Sequence, residues 1–552
     1  MTTTLTNRTA LMATGLLSLV ATLCLAMMND NRTMHPDIAQ AISGAKNLLD
    51  GKGFSTSLIY YEQHYQQNTW PAAQTVFPIG FPAMIAGLGA VGVPFRAAAQ
   101  LLSLTGFFIV PVLICLAAIR MGRRPSTAVF LALLWQCSPM NWHNVYEKQT
   151  ETLFVTFTLS SLILLQNDSR SLRRLMLAGL FAMVASSLRY AGVFWLITGG
   201  VLIGSPILRD PKATIQRLIA FGCLPAMLVG GMFIRNSMIV GDPRGGISHV
   251  VDKSIRLTLE NVYYAVSRLT GLDQNDLASA RLPELFVAVG ACGFVLLAAM
   301  CLLRCRVSLA RIVSFENVGH SAVYGYIVVT LACLAWLEKT TSVNLSPRMI
   351  LPLIPFGLLA AADIVAALLQ ATSSLPYSRK AIVSTSVLLT LGLALAQPDV
   401  FTELRGQVPR FGIVKEIIEQ PLAATAMAQL SSHDVSKQVT TVRDLLAGQR
   451  ILTNESHMLP EVLEQGAIGL SESVYTSRVW TSDEVQSLAQ KYDVQLVVVF
   501  TGILERDRSP FFDLLMADKG CEATPSWLEP VLGTQDLIVF QVKESVRLSS
   551  SN

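Results

Sequence analysis

Charge is scarce in this chain. Asp, Glu, Lys and Arg make up 14% of its 552 residues, against roughly 25% in an ordinary soluble domain. A composition so poor in charge excludes a single water-solvated globule. The formal net charge is only +4, and no basic run is interleaved with aromatics, which excludes a nucleic-acid reader. No C-x-x-C pair occurs among the nine cysteines, so neither a disulfide framework nor a zinc ribbon is indicated. Only Cys521 lies beyond the last apolar segment; the others sit in or beside apolar stretches, where Cys behaves as a small hydrophobe. The paired inverted halves that mark many secondary transporters are also missing.

What the chain has instead is apolar length. Hydrophobic residues make up 52% and the mean hydropathy is +0.48. Stretches of about 20 apolar residues, the length that spans a ~30 Å hydrocarbon core, recur from the N-terminus to Ala396. From Gln397 to Asn552 the composition is that of a soluble domain. Two domains are therefore expected, a multispan α-helical membrane domain over 1–396 and a soluble one over 397–552. Leu11–Met28 follows Arg8 and lacks a small-x-small cleavage site, so it reads as a retained first span rather than a signal peptide.

Basic residues cluster in alternate connections, at Arg120–Arg124, Arg170–Arg174, Arg209–Arg217, Arg304–Arg311 and Arg379–Lys380. The positive-inside rule makes these cytoplasmic. The intervening connections, including a large first loop over 29–96, then face the other side. Consistency requires that Phe77–Pro94, with its F-P-I-G-F-P-A run, be interfacial or re-entrant, a backbone tolerated at membrane depth only when packed on protein. The expected topology has about eleven spans, the N-terminus inside and the tail outside, with Arg189 at an outer turn.

The tail alternates helix and strand. T-S-D-E at Thr481–Glu484 is a capping-box start for a helix to about Lys491. Arg450–Thr453, Val494–Phe500 and Leu537–Val542 read as strands, which predicts a small α/β layer domain. It carries no Gly-rich phosphate loop and no nucleophile elbow.

Chemistry is concentrated where apolar segments end. M-N-W-H-N-V-Y-E-K-Q-T-E-T-L-F places Glu147 and Glu151 at the mouth of a span, and H-P-D-I-A-Q places Asp37 just beyond the first one. Ionisable groups at membrane depth are costly and mark function. Each has a plainer reading: Asp37 as a helix N-cap, Glu151 as a partner of Lys148, Arg348 as a snorkelling anchor. Glu147 shares a helical face with Glu151 if that helix starts early. His35, His64 and His143 share the outer side with Asp37, but their spacings match no metal-ligand pattern.

Several segments in order resemble the polytopic GT-C glycosyltransferases that use a lipid-phosphate-linked sugar, the group that includes protein O-mannosyltransferases and lipid A aminoarabinose transferases. P-D-I-A-Q-A-I-S-G-A-K-N-L-L-D-G-K-G-F resembles the acidic first-loop motif and the helix after it. F-P-I-G-F-P-A resembles the Pro-Pro-Gly-Tyr-Pro segment, with F-P in place of Pro-Pro and no lysine before it. S-P-M-N-W-H-N-V-Y-E-K-Q-T-E-T-L-F resembles the Ser-Pro segment whose acid opens the next span, the place Glu151 takes. L-R-Y-A-G-V, I-R-N-S-M-I-V-G-D-P and P-R-M-I-L-P-L-I-P also resemble family segments. Asp37 lacks the second acid of a paired first-loop motif.

The resemblance implies an integral membrane glycosyltransferase moving a sugar from a polyprenyl-phosphate donor to an extracytoplasmic lipid, glycan or protein acceptor. Asp37, Glu151 and Glu147 are then the catalytic candidates, and Arg348, Arg235 and Arg189 the donor-phosphate ligands. The chemistry suits these residue types. A carboxylate can take the acceptor hydroxyl's proton, and the planar donors of Arg match the leaving phosphate. Direct displacement with one base inverts the anomeric centre. No cofactor is demanded, and a divalent cation stays open. A transporter or flippase, and a scaffold of the same fold without catalysis, are the competing readings.

Overall fold

The computed structural model describes residues 2–28, 34–67, 69–167, 171–246, 252–258, 260–261, 318–341, 345–371, 410–421, 441–470, 480–501, 509–517, 524–534 and 536–547. In chain order its helices begin with α1 (Thr2–Met28), α2 (Pro36–Leu49), α3 (Glu62–Gln66), α4 (Gly80–Ala90), α5 (Phe95–Arg120), α6 (Pro125–Gln136) and α7 (Pro139–Tyr146). There follow α8 (Glu151–Asn167), α9 (Leu172–Leu188), α10 (Gly192–Gly204), α11 (Pro211–Val240), α12 (Val318–Thr340), α13 (Pro347–Ile350) and α14 (Ile354–Ala371). The chain divides into two compact units. One comprises Met1–Asn29, Gln100–Gly231 and Val251–Gln407; the other comprises Asp30–Ala99, Met232–Val250 and Val408–Asn552.

The first unit is helical. Among the described residues of the whole chain five helices are long and apolar enough to cross a membrane: Thr6–Met28, Phe95–Arg120, Pro211–Val240, His320–Thr340 and Arg348–Ala366. Shorter apolar helices are Gly80–Ala90, Pro125–Gln136, Glu151–Gln166 and Gly192–Gly204. The expected clusters at Arg304–Arg311 and Arg379–Lys380, and the expected boundary at 396/397, lie outside the described residues. Large buried side chains such as Phe107, Trp135 and Phe356 fill the core of this unit, and small and polar side chains let its helices approach closely. Trp195 of α10, fully buried, donates to Ser161 Oγ of α8 at 2.8 Å. Ser161 in turn donates to Ala178 O of α9 at 2.9 Å. At Gly106 of α5 a Cβ would lie 2.5 Å from Leu153 N, so only glycine lets α5 touch the backbone of α8.

The second unit carries the sheets. β1 (Ser55–Thr56) pairs antiparallel with β3 (Ala72–Ala73). A six-stranded sheet has the order β2-β5-β4-β6-β8-β7, with β2 (Leu58–Ile59), β4 (Ile451–Thr453), β5 (Ala467–Ile468), β6 (Leu496–Phe500), β7 (Leu528–Gly533) and β8 (Leu537–Val542). β2, β5, β4 and β6 run parallel, while β8 is antiparallel to both β6 and β7. β6, all five residues buried, reads L-V-V-V-F, the continuous apolar run expected of a strand covered on both faces. The helix Ser482–Lys491 starts at the expected capping box, with Thr481 and Glu484 capping reciprocally, and buries Val485, Leu488 and Ala489. The first loop is tied to the tail by more than β2: Tyr65 Oη donates to Gly469 O at 2.6 Å and Tyr492 Oη to His64 O at 2.8 Å.

α4 holds 11 residues, a rise of about 16 Å, too short for a ~30 Å core. That length suits the interfacial or re-entrant reading of Phe77–Pro94.

Candidate functional site

In the first unit the structure brings together two residues that the sequence offered separately. Glu151 opens α8 and is fully buried. Arg189 is the C-cap of α9, in extended conformation three residues before α10 begins, and its Nη1 lies 2.5 Å from Glu151 Oε1 and 3.3 Å from Thr150 Oγ1. The pairing of Glu151 with Lys148 is thus replaced by one with Arg189. Glu151 Oε2 has no hydrogen-bond partner among the described residues. α5 positions this end of α8: Ser103 Oγ donates to Gln149 O at 2.6 Å, and Thr152 Oγ1 donates to Ser103 O at 2.9 Å.

Glu147 does not share a helix with Glu151. It is the C-cap of α7, and the chain turns at Lys148, whose φ is +64°. Lys148 N bonds Val145 O and Gln149 N bonds Asn144 O, the paired closure of a Schellman motif. Glu147 instead meets His143 Nε2 at 3.5 Å and accepts from Gln149 Nε2 at 2.5 Å. Arg348, half-buried in α13, opens the apolar span Arg348–Ala366.

In the second unit Asp37 is not the N-cap of α2. That place belongs to His35, whose Nδ1 accepts from Asp37 N at 3.2 Å and lies 3.6 Å from Asp37 Oδ2. Pro36 at the first helical position and an acid in the first turn suit a helix start, and the Asp37 side chain keeps 21% exposure. Arg235 directs its fork at main chain: Nη1 donates to Gln74 O and Nη2 to Phe54 O, both at 2.9 Å, with the guanidinium 5.2 Å from the Phe54 ring centre. It holds the first loop in shape. Among the described residues no group of three or more His, Cys, Asp or Glu is placed to hold a metal ion. Asp37 and Arg235 thus belong to one unit, and Glu147, Glu151, Arg189 and Arg348 to the other.

No protein-family model matches the chain, and no curated protein sequence matches it. Solved structures do. ArnT from Cupriavidus metallidurans bound to undecaprenyl phosphate superposes with a TM-score of 0.53 at 12% identity, over 97% of this chain and 98% of that one. The oligosaccharyltransferase AglB from Archaeoglobus fulgidus, in complex with an inhibitory peptide and a dolichol-phosphate, gives 0.52 at 10% identity over 89% and 69%. The arabinofuranosyltransferase AftD from Mycobacteria gives 0.50 at 15% identity over 97% and 40%. The chain has the GT-C fold.

Two buried polar clusters of this GT-C chain were not singled out from sequence. Glu338, 1% exposed near the end of α12, meets Lys253 Nζ at 2.8 Å and Asn261 Nδ2 at 2.6 Å, and accepts Leu345 N at 2.6 Å. That last bond braces the approach to α13 and Arg348. Asp363 of α14, 7% exposed, lies 2.7 Å from Arg123 Nη2 and 3.2 Å from His320 Nε2. A lone acid inside the apolar run I-P-F-G-L-L-A-A-A-D was the available signal, but its partners are far away in sequence.

Proposed function

We propose that the chain is an integral membrane glycosyltransferase that moves a sugar from a polyprenyl-phosphate donor to an extracytoplasmic acceptor with inversion. The observation that carries this is the GT-C fold over 97% of the chain, shared with a protein bound to undecaprenyl phosphate. In the reaction an acceptor oxygen bonds to the anomeric carbon as the carbon–oxygen bond to phosphate breaks. The lipid phosphate leaves with that electron pair, and the acceptor proton passes to a carboxylate. Each unit offers its own candidates. In the unit that holds α2, Asp37, partly exposed in the first turn, is the candidate base. In the helical unit, Arg348 and Arg189 are the candidate phosphate ligands, and Glu151 fixes the guanidinium of Arg189. The first loop and tail lie on the extracytoplasmic side; the parallel pairing of β2 with β5 supports their sharing one side. About eleven spans and a divalent cation remain within this reading.

The test is turnover of radiolabelled polyprenyl-phosphate sugars by the full-length protein in lipid nanodiscs. Wild type should release polyprenyl phosphate, and Asp37→Asn should fold normally but lose about a hundredfold or more in rate, the scale of general-base catalysis. Wild-type rates in Asp37→Asn would remove Asp37 from the chemistry, and a protein that moves the donor across the bilayer without cleaving it would be a flippase.

A further inference from the structure

The second unit holds a cleft of about 220 Å³ whose lining includes none of the residues given roles above. One wall is the face of α2 from Ala39 to Asn47 with Asp50 just past its end; the other is the tail segment from His457 to Gly466, with Ser57 and Trp70 between. Asn47, 3% exposed, meets Ser57 Oγ with both ends of its carboxamide, Nδ2 at 3.2 Å and Oδ1 at 3.3 Å, which leaves one further N–H and one further lone pair. Trp70 presents a half-buried indole set edge-on to Tyr492 at 6.1 Å. A Cβ on Gly466 would sit 2.4 Å from Trp70 Cζ2 and 2.5 Å from Ser57 O, so a side chain there would displace the indole.

Charge balance decides the ligand class. Lys46 pairs with Glu461 at 3.2 Å and Lys52 with Asp50 at 2.8 Å, while Glu464 adds a further acid to the lining. The three carboxylates outnumber the two lysines, so the lining as a whole disfavours an anion. An apolar ligand would strip water from Asn47 and Glu461 without replacing its hydrogen bonds, at a cost that rises steeply for charged groups. An uncharged polyol avoids both penalties, because each hydroxyl both donates and accepts and the C–H face of a sugar ring can pack on an indole. The volume lies below the ~300–1,000 Å³ of drug-sized pockets, which leaves room for one ring.

We propose that this cleft binds one saccharide unit of an uncharged glycan, with Trp70 against the ring face and Asn47, Lys46 and Glu461 on its hydroxyls. If the chain is a glycosyltransferase, a glycan becomes the acceptor class; the binding itself does not rest on that reading.

The test uses the full-length protein in detergent without any lipid donor. Methyl glycosides of glucose, mannose, galactose and arabinose, and their disaccharides, are titrated by saturation-transfer NMR. At least one should bind, inorganic phosphate should not compete, and Trp70→Ala and Asn47→Ala should each weaken binding about tenfold, the scale of one lost stacking or hydrogen-bonding group. If Trp70→Ala fails to fold, Asn47→Ala decides alone. Failure of the whole panel to bind, competition by phosphate, or unchanged affinity in Asn47→Ala overturns the proposal. Glycoside binding without donor turnover would leave the cleft standing and sink the transferase reading; turnover without glycoside binding would do the reverse.

Discussion

Glu151 is the residue on which burial and charge meet most sharply. Its carboxylate is fully buried with Arg189 against it, and removing one partner of a buried pair costs about 3–5 kcal/mol because the other charge is left stranded. Arg189→Met should therefore destabilise the protein strongly, and adding Glu151→Gln should restore much of the loss. Thermal unfolding in detergent reads both; a double variant as unstable as Arg189→Met would show that the pair is not coupled. His64 supplies a pH test. Burial pushes its imidazole from 6.5 down to about 4, against the opposing effect of hydrogen bonding to the Gln74 side chain and the Leu58 backbone. The folded state thus keeps His64 neutral where the unfolded chain takes up a proton. Its stability is intact above pH 6.5 and falls as the pH drops to about 4, by about 1.4 kcal/mol per pH unit. Hydrogen exchange of the segment around β2 should quicken across that window in wild type and less so in His64→Asn. Equal acid sensitivity of the two would assign the effect to another group. The acids and arginines of these sites were legible as lone charges beside apolar runs. Which acid meets which base was not, because Glu151 and Arg189 are 38 positions apart.

Elements were legible wherever the local signal was strong. The capping box at Thr481, the run Leu496–Phe500 and the strand Leu537–Val542 appear within two residues of expectation. The break between α7 and α8 was not, since Tyr146–Thr150 holds no Gly, Pro or Asn and the left-handed turn falls on Lys148. Two-residue strands such as β2 and β5 carry too little pattern to announce themselves. Contact between helices is equally silent in sequence, yet it can be tested at Gly106. Gly106→Ala places a Cβ against the α8 backbone and should cost about 1–3 kcal/mol. Gly222→Ala in α11, where a Cβ meets nothing within 4 Å, should be neutral or slightly stabilising. Equal melting shifts for the two variants would deny the close approach.

On the scale of the whole molecule, the shared sheet makes a prediction about sidedness. β2 comes from the first loop and its neighbour β5 from the tail, so both must lie on one face of the membrane. In a background without native cysteines, exposed Lys52→Cys and Ser487→Cys should react with a membrane-impermeant maleimide from the same side of oriented vesicles. Labelling from opposite sides would break the pairing of β2 with β5.

By itself the sequence determined that this is a membrane-type chain with a sheet-forming tail, and it marked the acids and arginines at segment ends. Those properties follow from composition and from periodicities a few residues long. Only the tertiary structure decided that Arg189 neutralises Glu151, that Arg235 grips two first-loop carbonyls, and that the first loop contributes a strand to the tail's sheet. Each of these depends on groups brought together by packing across 38 to about 400 residues of chain. The hydrophobic effect that drives such packing is non-directional, so it leaves no local mark of which distant partner each group will meet.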